Sequence, residues 1–269
     1  MERWLFLDSG SAPGAENMAL DELLLERAER QGGAPVLRLY SFDPPAITIG
    51  WHQNASLILD VDALRADGLD CVRRITGGRA LLHEGELTYC VVAPAGSVLF
   101  DAGAGEAYLR ISAAISAALR SLGVDAEVSR GRELTGPKGT AAPCLSSVTR
   151  YELVVRGKKI AGSAQRKTSV AFLQHGSILM RSGSERIARY LRASPDALES
   201  RITSVSAELG RPVRGEDLSM SIAAAFSGMF DIEWEPLRLS ERDEAEIVGR
   251  ALAKRREALS RIAGEVCPP

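Results

Sequence analysis

Aromatic residues are scarce in this chain: Phe, Trp and Tyr together make up 5% of its 269 residues. Few rings are therefore available to stack on unpaired bases, as binders of single-stranded nucleic acid require. Positive charge is not in excess either. A net charge of −2 leaves no overall basic footprint, so no nucleic acid partner is expected. No stretch approaches the roughly 18 apolar residues of a membrane-spanning helix. The opening MERWLFLDSG lacks the long apolar run and the cleavage site of a secretory signal. The expectation is a cytoplasmic protein with no membrane partner. Cys71, Cys90, Cys144 and Cys267 show no CxxC spacing, which argues against a thiolate metal site and for free thiols in a reducing compartment. His52, His83 and His175 lie far apart and form no HExxH pair, so no metal is expected.

What is present suits a soluble domain with a sizeable core: 45% hydrophobic and 25% charged residues. Short apolar or alternating runs predict strands at 4–8, 36–42, 46–51 and 71–75. Residues 79–82 and 87–93 read as a hairpin closed by 83–86. A helix is expected over 15–31, with Met18, Leu24, Leu25 and Ala28 on its apolar stripe and Asp21, Glu22, Glu26 and Arg27 on the rest. Gly32-Gly33 ends it. A short helix is expected at 61–66 and a longer one over 108–122, while 129–142 reads as a loop. From 151 to 180 three antiparallel strands are expected, with a tight turn at Arg156-Gly157-Lys158. Helical patterns follow near 184–193, 216–230 and 240–263, the last opened by Ser240 with Asp243 as a capping box. The fold class is α+β, with 1–182 as the core and 183–269 as a helical segment packed on it.

Three places carry candidate chemistry. Thr76-Gly77-Gly78, flanked by Arg73, Arg74 and Arg79, allows backbone N–H groups to approach a ligand, or is a plain turn with solvated arginines. It is neither a P-loop nor a dinucleotide fingerprint. Gly162, Ser163 and Ala164 allow similar close approach, and the Gly77-Gly78 and Gly162-Ser163 pairs are expected to face one cavity. His83 and His175 are candidates for general bases or for satisfied structural residues. Cys71 and Cys90 sit in apolar strand runs and read as core. Cys144 follows a proline on a loop, with Lys159 as the nearest cation to favour its thiolate.

Taken together, NMALDELLL at 17–25, IGWHQN at 49–54, RRITGGRALLHEGELTY at 73–89, the cysteine with YEL seven residues on, GKKIAGSAQ at 157–165 and LQHGSIL at 173–179 resemble the biotin/lipoate protein ligase and lipoyltransferase family. The resemblance implies mixed sheets flanked by helices around an acyl tunnel. Arg79 stands where ATP-using ligases of the family carry a third glycine, and those ligases lack a cysteine at position 144. The resemblance therefore implies the octanoyltransferase branch. There the cysteine matching Cys144 carries the acyl group and the lysine matching Lys159 assists. The expected donor is octanoyl-acyl carrier protein. The expected acceptor is a lysine on a lipoyl-domain protein such as the glycine-cleavage H protein. No cofactor is expected, and the enzyme is expected to be a monomer. Arg74, Thr76, Gly77, Gly78, Arg79, His83, Gly162, Ser163, Ala164, Gln165, His175 and Gly176 are expected to bind substrate. Arg130, Arg132, Lys138, Arg166 and Lys167 would form a docking rim for acidic partners. An amidotransferase acting between lipoyl domains, an ATP-dependent ligase and a non-catalytic binder of an acylated partner are the alternatives.

Overall fold

The computed structural model describes residues 1–129, 131, 151–181, 184–191 and 195–262. Cys144, Cys267, Arg130, Arg132, Lys138 and nearly all of the expected 129–142 loop lie outside the described residues. In chain order the elements are β1 (Glu2–Ala12), α1 (Gly14–Gln31), β2 (Val36–Phe42), β3 (Ala46–Ile49), α2 (Ala55–Ile58), α3 (Val61–Ala66), β4 (Asp70–Arg73), β5 (Leu81–His83), β6 (Glu86–Pro94), α4 (Val98–Asp101) and α5 (Ala104–Ser121). There follow β7 (Glu127–Val128), β8 (Leu153–Val155), β9 (Lys158–Lys167), β10 (Ala171–Leu179), α6 (Ser184–Leu191), α7 (Pro195–Glu199), α8 (Val205–Leu209), α9 (Gly215–Phe230), β11 (Ile232–Pro236) and α10 (Glu241–Ile262).

Among the described residues the strands form two sheets: a large one in the order β11-β1-β2-β6-β10-β9-β8-β7, and a small one in the order β4-β3-β5. β1 runs parallel to both β2 and β11, whereas β2, β6, β10, β9, β8 and β7 pair antiparallel. The sheets are mixed and flanked by helices, as the α+β reading expects.

Side-chain alternation sorts the large sheet into two faces. Leu37, Leu39, Leu87, Tyr89, Val91, Phe172 and Ile178 join the core that also holds buried residues of α5 and α9. Val36, Tyr40, Cys90, Val92, Ala171 and Leu173 point the other way, into a second core with α1 and with Ile247 and Ala251 of α10. A third core surrounds the small sheet and takes in α6. Both faces of β6 and β10 are therefore covered, and every residue of these two strands is buried.

Two expectations need correction. The 79–82 and 87–93 runs are not a hairpin. β5 pairs with β3 in the small sheet, and β6 pairs with β2 and β10 in the large one. The turn at 84–85 hands the chain from one sheet to the other. The region after 183 also contributes a strand, for β11 forms an edge of the large sheet beside β1. The other main elements lie close to their expected positions. The Ser240–Asp243 capping box is made in both directions: Ser240 N–H donates to Asp243 Oδ2 at 2.8 Å, and Asp243 N–H donates to Ser240 Oγ at 3.3 Å.

Candidate functional site

A cavity lies on the second face of the large sheet, roofed by α1, β5 and the loop after β4. The sheet contributes Tyr40, Thr88, His175 and Ser177, together with Gly162, Ser163, Ala164 and Gly176. α1 contributes Met18, the small sheet Leu81 and His83, and the loop Arg74 and Gly78. Gly78 and the Gly162-Ser163 pair thus face one cavity, whereas Gly77, expected there with Gly78, does not line it.

Four expected binding residues do not line it. Thr76 stands behind His175, and the carbonyls of Gly77 and Arg79 accept bonds from Arg74. Gln165 pairs with Gln174 across β9 and β10, on the opposite face from His175, and donates to its side chain at 3.3 Å. One-residue alternation puts Gln165 out of reach.

The loop over the cavity is built from two sequence motifs at once. Arg73 donates to the carbonyls of Gly50, Trp51 and Gln53 at 2.8–2.9 Å. Trp51 N–H donates to Thr76 O at 2.9 Å. The strands bring the two segments so close that a Cβ on Gly50 would strike the Gly78 carbonyl oxygen. Arg74 donates to Thr48 O and Oγ1 and to the Gly77 and Arg79 carbonyls, which ties the loop to β3. Arg73 and Arg74 are thus not simply solvated cations.

Both cavity histidines are hydrogen-bonded through both ring nitrogens. His175 Nδ1 lies 2.9 Å from Asp21 Oδ2, and its Nε2 lies 2.7 Å from Thr76 Oγ1. Asp21 also accepts from Arg38 at 2.7 Å and from Tyr40 Oη at 2.8 Å. Burial raises the pKa of Asp21, but Arg38, His175 and Tyr40 outweigh it, and the net shift is downward. Asp21 is 1% exposed, so it belongs to the buried side of α1 and not to the part of the helix off the apolar stripe, where the sequence placed it. Its spacing from Met18, Leu24 and Leu25 already put it on the buried stripe. Burial also lowers the pKa of His83, against the opposing pull of Glu86. The neutral ring donates from Nδ1 to Glu86 Oε1 at 3.0 Å and takes the Thr48 hydroxyl at Nε2, 2.7 Å away. Most polar groups around the cavity thus bind one another, so carbon is left to face the space. Cys71 and Cys90 are core residues, and burial pushes the Cys71 thiol up to about 12 and Cys90 well above its ordinary value.

Lys159 stands just outside this wall. It is 1% exposed, and its Nζ lies 2.6 Å from Glu152 Oε1. A Cβ on Gly162 would sit 2.7 Å from Lys159 Cε and 2.9 Å from Nζ, so the glycine is what permits the approach. The sequence reading missed Glu152 and Asp21 as partners. An acid at the head of an alternating strand and an acid on an apolar helical stripe were the available signals. Among the described residues no cluster of three or more His, Cys, Asp or Glu is placed to hold a metal, and no helix is long and apolar enough to cross a membrane.

Residues 13–227 match the model of the lipoyl protein ligase A/B catalytic domain. The chain belongs to that family. Among its relatives, "Octanoyltransferase LipM" of Moorella thermoacetica is 34% identical over 254 residues, covering 91% of this chain and 93% of the relative. The protein of the same name from Symbiobacterium thermophilum is 37% identical over 254 residues, covering 90% and 92%. Among solved structures, lipoate-protein ligase A bound with ATP superposes with a TM-score of 0.78 at 23% identity, covering 99% of this chain and 100% of that one. A bipartite lipoate protein ligase of Thermoplasma acidophilum superposes with a TM-score of 0.80 at 20% identity, covering 100% and 99%. These structures share the fold of this lipoyl ligase family member.

Proposed function

We propose that this chain is an octanoyltransferase of lipoate synthesis, an acyltransferase that moves octanoyl from acyl carrier protein to a lysine of a lipoyl-domain protein through a thioester on Cys144. The observation that carries the reading is its similarity, over nine-tenths of its length, to relatives named octanoyltransferase LipM. Arg79 in place of a third glycine, Cys144 and Lys159 agree with it.

In the first step the Cys144 thiolate attacks the carbonyl carbon of the octanoyl thioester, and the carrier's thiolate departs. In the second the acceptor's lysine amine attacks the Cys144 thioester, an amide forms, and the cysteine sulfur is released. Exchange between thioesters is nearly balanced in energy and amide formation is downhill, so no nucleotide is required. Splitting the transfer this way is covalent catalysis. The cavity, with its turned-away polar groups, is the proposed acyl site. The roughly six methylenes of an octanoyl chain, at about 0.8 kcal/mol each, would contribute on the order of 5 kcal/mol on full burial. Arg166, whose guanidinium lies 5.7 Å from the Trp51 ring and donates to the Ile75 carbonyl, is an exposed cation beside the loop over the cavity, and Lys167, whose Nζ lies 4.2 Å from the Phe100 ring, is an exposed cation on the opposite face of β9. They suit acidic carrier and acceptor domains, with the glycine-cleavage H protein as the proposed acceptor. The enzyme is read as a cytoplasmic monomer.

An ATP-dependent ligase is the second reading, favoured by the fold shared with lipoate-protein ligases. Purified protein mixed with octanoyl-acyl carrier protein and a lipoyl domain decides between them. The expected result, read by intact mass, is octanoylation of the domain without nucleotide and a transient octanoyl adduct lost in Cys144→Ala. Modification only with ATP and free fatty acid would establish the ligase instead.

A further inference from the structure

The cavity is open at one end and closed at the other. Gly78 is exposed and Gly162, Ser163 and Ala164 of β9 are partly exposed, whereas Tyr40, Thr88, Ser177 and His83 are buried. Four of the lining residues stand in one row across the large sheet. Gly162 of β9 pairs with Ser177 of β10, Ser177 with Thr88 of β6, and Thr88 with Tyr40 of β2. The row therefore leads inward from the open end. In its middle Thr88 Oγ1 lies 3.1 Å from Ser177 Oγ. Ser177 Oγ also lies 3.4 Å from His83 Nδ1, but that nitrogen carries the proton donated to Glu86 and offers no lone pair. Two hydroxyls bring two protons, and the bond between them uses one. Among the described residues no acceptor takes the other.

From this arrangement we infer that the Thr88–Ser177 hydroxyl pair sets the length of the acyl chain, admitting eight carbons and opposing ten. The inference rests on the reading of the cavity as the acyl site. The reacting carbonyl stays at the open end, over β9, because both its carrier and its acceptor are protein domains. From β9 to β6 is two strand spacings, about 9.6 Å. A fully extended chain advances about 1.2 Å per bond, so the octanoyl group spans about 8 Å from carbonyl carbon to methyl and the decanoyl group about 11 Å. Octanoyl thus ends just short of the hydroxyl pair and leaves room for a water to take the spare proton. Decanoyl reaches the pair, expels that water and strands the proton against methylenes. A buried donor left without a partner is penalised. A site that leaves its own polar group unpaired rejects a ligand far more strongly than one extra methylene would. Tyr40, one strand further in, closes the row, and its hydroxyl donates to Asp21.

The test is kcat/KM of the full chain with hexanoyl-, octanoyl- and decanoyl-acyl carrier protein and one lipoyl domain, read by intact mass. Ala164→Val checks the underlying reading, because it narrows the open end beside Gly78. Transfer should fall for all three chains; a folded variant with unchanged rates would mean that the acyl chain binds elsewhere, whatever Thr88 and Ser177 do. Given that fall, the unaltered protein is expected to favour octanoyl over decanoyl at least about tenfold. Thr88→Val combined with Ser177→Ala removes both protons with little change of shape, and the decanoyl-to-octanoyl ratio should rise at least about tenfold. Each substitution alone leaves one hydroxyl whose proton still lacks an acceptor, so the ratio should move less than about threefold. This split separates polarity from room, since Ser177→Ala alone would release a limit set by volume. Should the double variant fail to fold, Thr88→Ile extends a side chain into the row and should raise the hexanoyl-to-octanoyl ratio at least about tenfold. Equal octanoyl and decanoyl rates in the unaltered protein, an unchanged ratio in the folded double variant, or the full rise in either single variant would each overturn the inference. So would an unchanged hexanoyl ratio in Thr88→Ile when the double variant does not fold.

Discussion

Burial keeps His83 neutral, with its pKa below the ordinary 6.5. In the unfolded chain the ring regains its ordinary value and binds a proton as the pH falls past that point. Between the unfolded and folded values the unfolded state therefore binds more protons, and stability falls as pH falls. Asp21, whose pKa is lowered from 3.8, contributes stability above that value and loses it as pH drops through its folded pKa, so its window lies lower. The partly buried Glu22, with a raised pKa, has the opposite sign above 4.5. The expected outcome is a denaturant midpoint that declines from about pH 6.5 downward and a flatter profile in His83→Gln, which itself loses about 1–3 kcal/mol through its broken hydrogen bonds. An identical slope in the variant would show that another group titrates. At this scale the sequence was legible where a residue is apolar or glycine. Cys71, Cys90, Gly78 and Gly162 could be placed from their neighbours alone. Buried charge was harder to read. Asp21 and Glu152 declare themselves only once Arg38 and Lys159 are across from them, and those partners are 17 and 7 residues away in sequence.

Elements were read well wherever period decides the matter and poorly where pairing does. A run of alternating residues announces a strand but not its neighbour, so β5 and β6 looked like a hairpin although they belong to different sheets. That separation opens room for the cavity between the sheets. The loop on top depends on Gly50 meeting Gly78, and this gives a prediction. Gly50→Ala drives a methyl group into the Gly78 carbonyl, forcing the two segments apart. Overpacking of this kind costs roughly 1–3 kcal/mol. Displacing Gly78 from the cavity wall should slow acyl transfer on the order of 10²-fold, since small misplacements are magnified in rate. Gly105→Ala is the control. A Cβ there meets nothing within 4 Å, and alanine in α5 should be neutral or stabilising by up to about 1 kcal/mol. Thermal melts and octanoyl-transfer rates of both variants check this, and equal activities would mean that the loop position is unimportant.

Across the whole molecule, the two ends of the chain close around the same layer. β11 adds to the edge of the sheet beside β1, and α10 lies along α1, with Ile247 and Ala251 in the second core. Ion pairs reinforce the seam: Arg250 bridges Glu26 and Glu246, Lys254 meets Glu22, and Arg255 lies near Glu16 and Asp70. These pairs are partly exposed, so most of the hold is expected to come from the apolar contacts. The family match ends at residue 227, before either element, and a strand of five residues between two helical patterns leaves too short a run to betray its period. Yet α10 backs the helix that carries Asp21 and Met18 over the cavity. A chain ending at Leu239 is therefore expected to lose about 3–5 kcal/mol, the scale of emptying a core position. Its α1 should exchange amide hydrogens faster, and its octanoyl transfer should fall with it, while β6 and β10 stay protected between their cores. Hydrogen exchange by mass spectrometry on the full and shortened chains reads both effects. Unchanged protection of α1 would mean that α10 rides on the fold without bracing the site.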